Sequence, residues 1–225
     1  MRTDQVAFAE SSEAGVEESE QGSRGDRRRA RILSAFHDCI IRNGYAKTTL
    51  RDVAKAAGIS ASHLLYYFPG KDSILEHYFE DVAMKIVRRI DSFRNEDPLL
   101  QINLLSDLFF AGKGITRSEI GFMLECFGVA VHDKTLRKYK KKLDRYCKAY
   151  LADLFGRFAA EGSKAEAHAE IAYAMLIGLR TAAYFDKRVD LTMARQLFHQ
   201  ETLNLAGIGE RNQGLGAAGH GSDAN

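Results

Sequence analysis

The sequence has no uninterrupted apolar stretch of about 18 residues, which is roughly the length that a membrane-spanning helix needs. Its first twenty residues are acidic and polar, and they lack the apolar centre of a secretory signal. Both features favour a cytoplasmic protein that has no membrane partner.

Cysteine is also scarce: the chain has three, Cys39, Cys126 and Cys147, which are far apart and odd in number. This usage is typical of buried thiols in a reducing compartment and argues against a disulfide framework. None of the seven histidines forms a metal-like pair with them, so we predict neither a metal site nor a cofactor. The sequence has no glycine-rich phosphate loop, no nucleophile elbow and no usable cluster of His, Asp and Cys, which argues against an enzyme.

The chain does have the material for a large helical core. It contains 225 residues, of which 45% are hydrophobic and only two are proline, and this suits one small and one larger domain. From Lys71 to Ile208 the pattern is helical, without an alternating strand run, so we predict an all-α fold. Residues 1–24 and 207–225 have few large apolar groups, which predicts two disordered tails.

The most specific pattern lies within residues 27–75. Ile32, Phe36 and Ile40 recur at helical spacing, so they predict a first helix with one apolar face. Gly44 is placed to close that helix in a left-handed conformation.

Two short helices are expected to follow. Thr49 begins a Thr-x-x-Asp pattern that can form a capping box, and Gly58 ends this second helix in a tight turn. Ser60 can cap the third helix, which stops at Phe68 because Pro69 cannot continue it.

The third helix exposes polar and aromatic side chains. Helical spacing commits Ile59, Leu64 and Phe68 to the core, so the remaining side chains face outward. A short helix of this kind can enter the roughly 12 Å wide major groove of DNA, where Ser, His and Tyr donate hydrogen bonds. Between Arg24 and Lys71 there are ten Lys or Arg and only three Asp, although the whole chain has a net charge of +2. The alternative is that the tyrosines pack on the next helix and the arginines form an ordinary solvated face.

The run TTLRDVAKAAGISASHLLYYFPGKDSILEHYF resembles the N-terminal helix-turn-helix of the TetR family of bacterial transcriptional repressors. The match extends from about Arg28 to Phe79. The residues in register with the family pattern are Thr48, Thr49, Asp52, Ala54, Ala57, Gly58, Ser60, Leu64, Tyr67, Phe68, Lys71 and Leu75. The departures are Ser62, where Gly is common; His63, where Thr is common; Leu65, where a phosphate-binding Tyr is common; and Gly70, where Ser or Asn usually caps the fourth helix.

The resemblance implies a DNA-binding domain at residues 25–71, with its motif at about 49–68, and a ligand-binding and dimerisation domain at residues 72–206. The predicted DNA contacts are Arg28, Thr48, Thr49, Arg51, Ser60, Ala61, Ser62, His63, Tyr66, Tyr67 and Lys71. Of these, we expect Tyr66 and Lys71 to contact phosphates, and His63 to influence base preference.

Six further helices are predicted in the larger domain. Their expected ranges are 72–94, 98–111, 117–132, 133–161, 164–187 and 191–206. The total of nine is the usual number for the TetR family.

The eighth helix, AEIAYAMLIGLRTAAYFD, is apolar almost all round and must be covered on both sides. Its small residues at i, i+4 and i+8 would allow a second helix to approach, and the resemblance implies dimerisation through the last two helices. The predicted homodimer interface consists of Ala174, Gly178, Ala182 and Phe198. The alternative is a helix buried within one large domain. Arg180 interrupts the apolar run, so it should pair with an acid or with a ligand carboxylate.

Aromatic and flexible side chains in the middle helices predict a pocket for a small, largely apolar or aromatic effector. The candidates are Phe109, Phe122, Met123, Cys126, Phe127, Tyr146, Tyr150 and Met175. The alternative is that these side chains form ordinary core. Asp107 and Glu125 interrupt apolar faces, so they either orient a cationic ligand or pair with nearby Lys and Arg.

The sequence therefore predicts a homodimeric repressor that binds a palindromic operator in double-stranded DNA and is released by a small molecule. A transcriptional activator, a constitutive DNA-binding protein and an architectural DNA-binding protein remain as alternatives. The acidic N-terminal tail could compete with DNA for the arginines at 27–31, or it could be a solvated extension.

Overall fold

The computed structural model describes residues 24–112, 116–158 and 164–208. In these ranges the chain forms nine α-helices and no strand, so the predicted fold class is confirmed. The helices are α1 (Arg24–Asn43), α2 (Leu50–Ala56), α3 (Ala61–Tyr67), α4 (Lys71–Asp91), α5 (Pro98–Phe110), α6 (Arg117–Ala130), α7 (Lys134–Gly156), α8 (Ala165–Phe185) and α9 (Leu191–Leu205). Nearly all of the two predicted tails lies outside the described residues.

Local signals end α1 and begin α2 as the sequence predicts. Gly44 follows α1 with a φ of 79°, a left-handed conformation that favours glycine. At α2 the Asp52 amide donates to Thr49 Oγ1 at 3.2 Å, and the Thr49 amide donates to the Asp52 carboxylate at 3.0 Å. This reciprocal capping box satisfies two backbone donors that the first turn of a helix leaves unpaired.

The boundaries of α3 are also set locally. Ser60 accepts a hydrogen bond from the His63 amide at 3.2 Å, which caps the start of the helix. The helix ends at Tyr67, because Phe68 precedes Pro69 and is extended, with φ of −140° and ψ of 121°. The predicted end at Phe68 is therefore one residue too late.

Side-chain caps begin most of the longer helices. Thr116, Asp133 and Asp190 each accept a hydrogen bond from a backbone amide in the first turn of α6, α7 and α9. Asp97 caps α5, and Pro98 follows at a position where the missing N–H costs no helical hydrogen bond. The helix expected at 133–161 is shorter in the structure, since α7 ends at Gly156.

The helices bury two apolar cores. The first, which we call the head core, joins α1, α2, α3 and the start of α4, and it includes the fully buried Phe36, Leu64 and Phe68. It also contains Phe122 of α6 and Leu136 of α7. The packing therefore crosses the boundary predicted between residues 71 and 72. We call α1 to α3 the reading domain and the remaining helices the larger domain.

The second core lies within the larger domain, where α8 packs between α7 and α9. Leu151, Leu176 and Phe198 are among its buried residues. Gln101 is fully buried there, and its side-chain oxygen accepts a hydrogen bond from the Tyr150 hydroxyl at 2.6 Å. Within the described ranges, none of the helices is long and apolar enough to span a bilayer.

Candidate functional site

The third helix exposes side chains that are predicted to contact DNA. We call the surface formed by Ala61, Ser62, His63 and Tyr66 the reading face. Leu64 and Phe68 anchor the helix with 0% and 1% of their surface exposed, whereas Tyr66 is 82% exposed. The exposed residues at the start of α3 are Ala61, Ser62 and His63. Small residues at the start and hydrogen-bonding side chains farther along allow this helix to approach a groove closely and to contact it.

Short contacts restrain the side chains of this face. The half-buried Tyr67 ring lies 5.4 Å from the His63 ring and 5.3 Å from the Tyr66 ring, measured between centroids. The hydroxyl oxygens of Ser60 and Ser62 are 3.0 Å apart. Restrained side chains lose less conformational entropy when they bind, so the reading face is partly preorganised.

Thr48 does not belong to this surface, which corrects its prediction as a DNA contact. Its side chain is 1% exposed, and its hydroxyl donates to the Gly44 carbonyl at 2.8 Å. The Thr48 amide donates to the same carbonyl at 3.2 Å, so the buried residue closes the turn that follows α1.

Lys71 holds the loop between α1 and α2. Its ammonium group donates to the carbonyls of Tyr45 at 2.9 Å and Thr48 at 3.1 Å, and it lies 4.2 Å from the centroid of the Tyr45 ring. The Tyr45 hydroxyl donates to Asp72 at the start of α4. Two of the three ammonium donors are thus used inside the protein, and the predicted phosphate contact of Lys71 depends on the third.

The remaining predicted DNA contacts lie on α1 and at the start of α2. Thr49 and Arg51 are exposed, and Arg28 is half-buried. Hydrogen bonds from the Thr49 hydroxyl and amide lower the pKa of Asp52. The charged carboxylate is therefore occupied by the cap of α2.

A helix of the larger domain reaches the reading domain through Glu125. This α6 side chain accepts a hydrogen bond from the Tyr45 amide, and its Oε1 would lie 3.4 Å from a Cβ placed on Gly44. The structure thus gives Glu125 a role that neither sequence-based alternative included, which is to cap the loop after α1. Asp107 pairs with a nearby arginine, as one of those alternatives predicts, because its carboxylate lies 2.6 Å from Arg195.

A second link joins His37 of α1 to Glu119 of α6. The imidazole Nε2 is 2.8 Å from Glu119 Oε1, so the two side chains form an ion pair when His37 is protonated. Glu119 raises the pKa of His37 against the opposing effect of burial. The His37 ring also stacks on Tyr78, with centroids 5.5 Å apart, and meets the edge of Phe122 at 5.4 Å.

The contact between His37 and Glu119 is not predicted from the sequence. The available signal was that His37 occupies the same row of α1 as Leu33 and Ile41, at the edge of the apolar face. The spacing does not reveal that α6 covers that edge.

Two family models match the chain. Residues 32–78 match the model for bacterial regulatory proteins of the tetR family, and residues 101–206 match the C-terminal model of the BetI-type transcriptional repressors. The chain belongs to the TetR family of bacterial transcriptional regulators. The resemblance is therefore confirmed, and members of this family are DNA-binding regulators rather than enzymes.

Two relatives from Chromohalobacter salexigens are similar over most of the chain. The HTH-type transcriptional regulator BetI 1 is 28% identical over 174 residues, which are 76% of this chain and 86% of the relative. The regulator BetI 2 is 26% identical over 177 residues, which are 76% of this chain and 85% of the relative. Both matches are too long to lie in the reading domain alone.

Solved structures share the fold of the chain. A TetR transcription regulator from Haloarcula marismortui superposes with a TM-score of 0.70 at 22% identity, covering 81% of this chain and 97% of that one. A protein from Saccharomonospora viridis, solved in complex with choline, superposes with a TM-score of 0.69 at 23% identity, covering 80% and 96%. At these identities the two structures show the fold.

In this TetR-family chain, α6 is also fixed to α8. Arg117 Nε donates to the Tyr184 carbonyl at 2.9 Å, and the guanidinium carbon lies 5.4 Å from the centroid of the Tyr184 ring. Gly121 permits this approach, because a Cβ at that position would lie 2.6 Å from the ring. One helix thus connects α8 to the reading domain.

The contacts of Arg180 in α8 differ from the predicted pairing with an acid or a ligand carboxylate. It is 8% exposed, and its Nη1 donates at 2.8 Å to the carbonyl of Phe109, which lies in the last turn of α5. Its Nε has no hydrogen-bond partner among the described residues. Burial lowers the pKa of Arg180 to about 10, and the charge of Glu119 opposes that shift.

The eight predicted effector residues do not form one pocket in the structure. Phe122, Cys126 and Phe127 pack in or against the head core, and Met123 is half-buried on the same helix. The residues that pack in or against the second core are Phe109, Tyr146, Tyr150 and Met175. Helical spacing predicts that these residues are buried, but it does not say which neighbour each one meets.

The second core contains a small apolar void. Ile90, Phe109, Tyr150 and Phe198 contribute to its wall, and its volume is about 10 Å³. That is roughly the space for one water molecule and far less than an organic ligand needs.

Beside this void, two predicted effector residues hold a cation of the protein itself. The Arg94 guanidinium carbon lies 5.8 Å from the Tyr146 ring centroid and 5.1 Å from that of Tyr150. Asp91 accepts hydrogen bonds from Arg94 Nε, at 2.8 Å, and from the Tyr146 hydroxyl. Aromatic ring faces and a carboxylate, which surround the Arg94 cation, are also the groups that bind organic ammonium ions.

The outer side of α8 is an exposed apolar face. Ile171 is 54% and Phe185 is 69% exposed, and the small residues Ala174 and Gly178 between them are exposed as well. Ala182 is half-buried. We call the four exposed residues the α8 face.

Phe198 does not extend the α8 face, which corrects its prediction as an interface residue. It is 1% exposed, and its ring centroid lies 5.5 Å from that of Phe110 in the second core. Ala194 and Thr202, one turn away on either side, are buried on the same side of α9. The exposed apolar side chains of α9 are Met193 and Leu197.

Proposed function

We propose that this protein is a cytoplasmic, ligand-responsive transcriptional repressor that binds a roughly palindromic operator as a homodimer. The observation that carries the proposal is the outer face of α3, where His63 and Tyr66 are exposed while Leu64 and Phe68 fix the helix in the head core. Each subunit would place α3 in the major groove, with half-sites about 34–36 Å or a multiple of that distance apart.

The α8 face supports the homodimer. Two copies of a face with exposed apolar groups at Ile171 and Phe185 and small residues between them can pack closely, and the contact removes that apolar surface from water. The neighbouring Met193 and Leu197 of α9 enlarge the apolar surface, so both last helices would contribute to a four-helix interface.

We propose a small organic cation of the choline type as the effector. The support is the match of residues 101–206 to the BetI-type C-terminal model and the choline complex of the Saccharomonospora viridis protein. The sequence predicts an apolar or aromatic effector, and a quaternary ammonium suits the same aromatic side chains, because their ring faces attract cations.

Binding of choline at the void beside Phe109 and Tyr150 would separate helices of the second core, because the void itself is too small for choline. Its wall includes Ile90 of α4, and α4 runs from there to Lys71, which holds the loop of the reading domain. A displacement of α4 would therefore change the separation of the two reading domains. A coupling of about 1–3 kcal/mol would lower operator affinity roughly 5- to 150-fold.

The test begins with operator DNA, selected by the protein from fragments of its source genome. Operator affinity is then measured with choline and with 3,3-dimethyl-1-butanol, which has the shape of choline without its charge. We expect choline alone to weaken binding, and operator DNA to weaken choline binding by the same factor. Release by the neutral compound alone would contradict the cationic effector. Failure to select any sequence would contradict operator recognition itself.

A further inference from the structure

The start of α7 concentrates positive charge that the reading face does not use. Between Lys134 and Lys148 the sequence has eight Lys or Arg and one acid, Asp144. Lys140 pairs with Asp144, and Lys148 pairs with Glu170, each at 2.6 Å. Lys134, Lys138 and Lys141 are exposed and make no ion pair with any of the described residues. We call these three the α7 lysines.

The placement of these charges works against the helix that carries them. The α7 lysines follow one another at i, i+4 and i+7, so they line one side of the helix, where like charges repel. Asp133 caps the helix, but the first turn itself carries Lys134 and Arg137 and no acid, although the amino end of a helix favours negative charge. Burial and the charge of Lys138 lower the pKa of Lys142 nearby, against the opposing charge of Glu80 on α4. A bound polyanion would turn this repulsion into attraction.

The basic part of α7 is built onto the reading domain. Leu136 is 1% exposed within the head core, and Tyr139 packs against the same core. Asp133, which caps α7, is close enough to Tyr45 for its charge to raise the pKa of that tyrosine. Tyr45 belongs to the loop that leads into α2, where the exposed Thr49 and Arg51 are predicted DNA contacts. The basic start of α7 therefore packs beside the reading domain, next to the loop that leads into α2.

We propose that the α7 lysines form a second DNA contact, which binds the phosphate backbone of duplex DNA that flanks each operator half-site. This rests on the proposed operator binding by α3. The lysines span about 10 Å of helix at 1.5 Å per residue, and about six phosphate charges occupy that length of duplex. They contact phosphates rather than bases, so they add affinity for longer DNA without sequence preference.

The test compares two duplexes that carry the same selected operator. The short duplex ends at the edges of the operator, and the long one has about 15 additional base pairs of arbitrary sequence on each side, which is about one and a half helical turns. The variant Lys134→Gln, Lys138→Gln, Lys141→Gln should bind the short duplex like the wild type. On the long duplex, the slope of log affinity against log salt should become shallower by up to about 5.4, because the dimer loses up to six phosphate contacts at about 0.9 each.

The matched control removes three charges elsewhere. Lys85, Arg88 and Arg89 are exposed near the end of α4, about 21–27 Å along that helix from Lys71 at 1.5 Å per residue. Replacing these three residues by Gln should leave the ratio of the affinities for the long and the short duplex unchanged. Removing repulsion should leave the melting temperature of the α7 variant equal to or above that of the wild type.

The outcomes separate the two proposals. An equal loss on long DNA in both variants, or no loss in either, would overturn the α7 contact and leave operator binding intact. Weaker binding of the short duplex by the α7 variant would place the lysines at the operator and would also overturn the proposal. Failure of the wild type to prefer the operator over unrelated DNA would instead contradict the function of α3.

Discussion

Two exposed faces of the molecule, on α3 and on α8, differ in their chemistry. Each exposes a large aromatic side chain, with Tyr66 82% and Phe185 69% accessible. On α3, however, the neighbours are Ser62 and His63, which can donate or accept hydrogen bonds, whereas on α8 they are small or aliphatic. Exposure alone does not identify a partner. The polar groups favour DNA on α3, and their absence from the α8 face favours a second copy of the chain.

The strongest test of this contrast is Gly178→Arg on the α8 face. A Cβ at this glycine meets no atom within 4 Å in the single chain, so the subunit should remain folded. A charge buried between two subunits would be unpaired, so the dimer should dissociate. Operator affinity should fall by about 10²- to 10⁴-fold, because each reading domain then binds without the other. Sedimentation measures the assembly, and anisotropy measures the affinity.

Gly156→Arg is the matched control for this change. Gly156 is also exposed, and a Cβ placed on it meets no atom within 4 Å, but it lies at the end of α7. This variant should remain dimeric and bind the operator normally. If the Gly178 variant also remains dimeric, the subunit contact lies on a different surface.

The reading face should respond to Tyr66→Phe and His63→Ala in different ways. Tyr66→Phe removes one hydroxyl that we expect on a phosphate, so it should weaken all DNA sequences alike, by about 0.5–1.5 kcal/mol. His63→Ala should cost about 1–3 kcal/mol on the selected operator and much less on variants of the contacted base pair. Anisotropy measures the uniform loss of affinity in the Tyr66 variant, and selection from a random pool measures the base preference of the His63 variant. An unchanged base preference in the folded His63 variant would remove His63 from the base contacts.

The same contrast explains how much the sequence could predict. The reading domain follows from short-range signals: Thr49 and Asp52 are three residues apart, and Ser60 caps the helix that Pro69 ends. To predict the pocket, one needs the orientation of α6, and helical periodicity does not give that orientation. Phe122 therefore faces the head core instead of an effector, and Phe198 faces the second core instead of another subunit.

The connection that runs from α8 through α6 to the reading domain can be weakened at Gly121. The change Gly121→Ala places a Cβ 2.6 Å from the Tyr184 ring, so the ring or α6 must shift. We expect a loss of about 1–3 kcal/mol in the free energy of unfolding, together with a smaller effect of choline on operator affinity. Denaturant titration and anisotropy check these outcomes. The double change Gly121→Ala, Tyr184→Leu should recover stability, and a single variant as stable as the wild type would show that the close contact is not a constraint.

The smallest expected effect is a pH dependence at His37. Glu119 raises the pKa of His37, so the folded protein binds this proton more tightly than the unfolded chain, whose histidine pKa is about 6.5. The resulting stability is fully present below about pH 6.5 and is lost as pH rises through the higher folded pKa. His37→Gln should therefore flatten the dependence of unfolding free energy on pH in that window, by about 1 kcal/mol or less. Glu119→Gln should flatten it as well, whereas Asp38→Asn should have little effect because the Asp38 side chain is 63% exposed and 3.4 Å from the ring. A wild-type pH dependence that persists in both the His37 and Glu119 variants would show that their ion pair does not tie α6 to the reading domain.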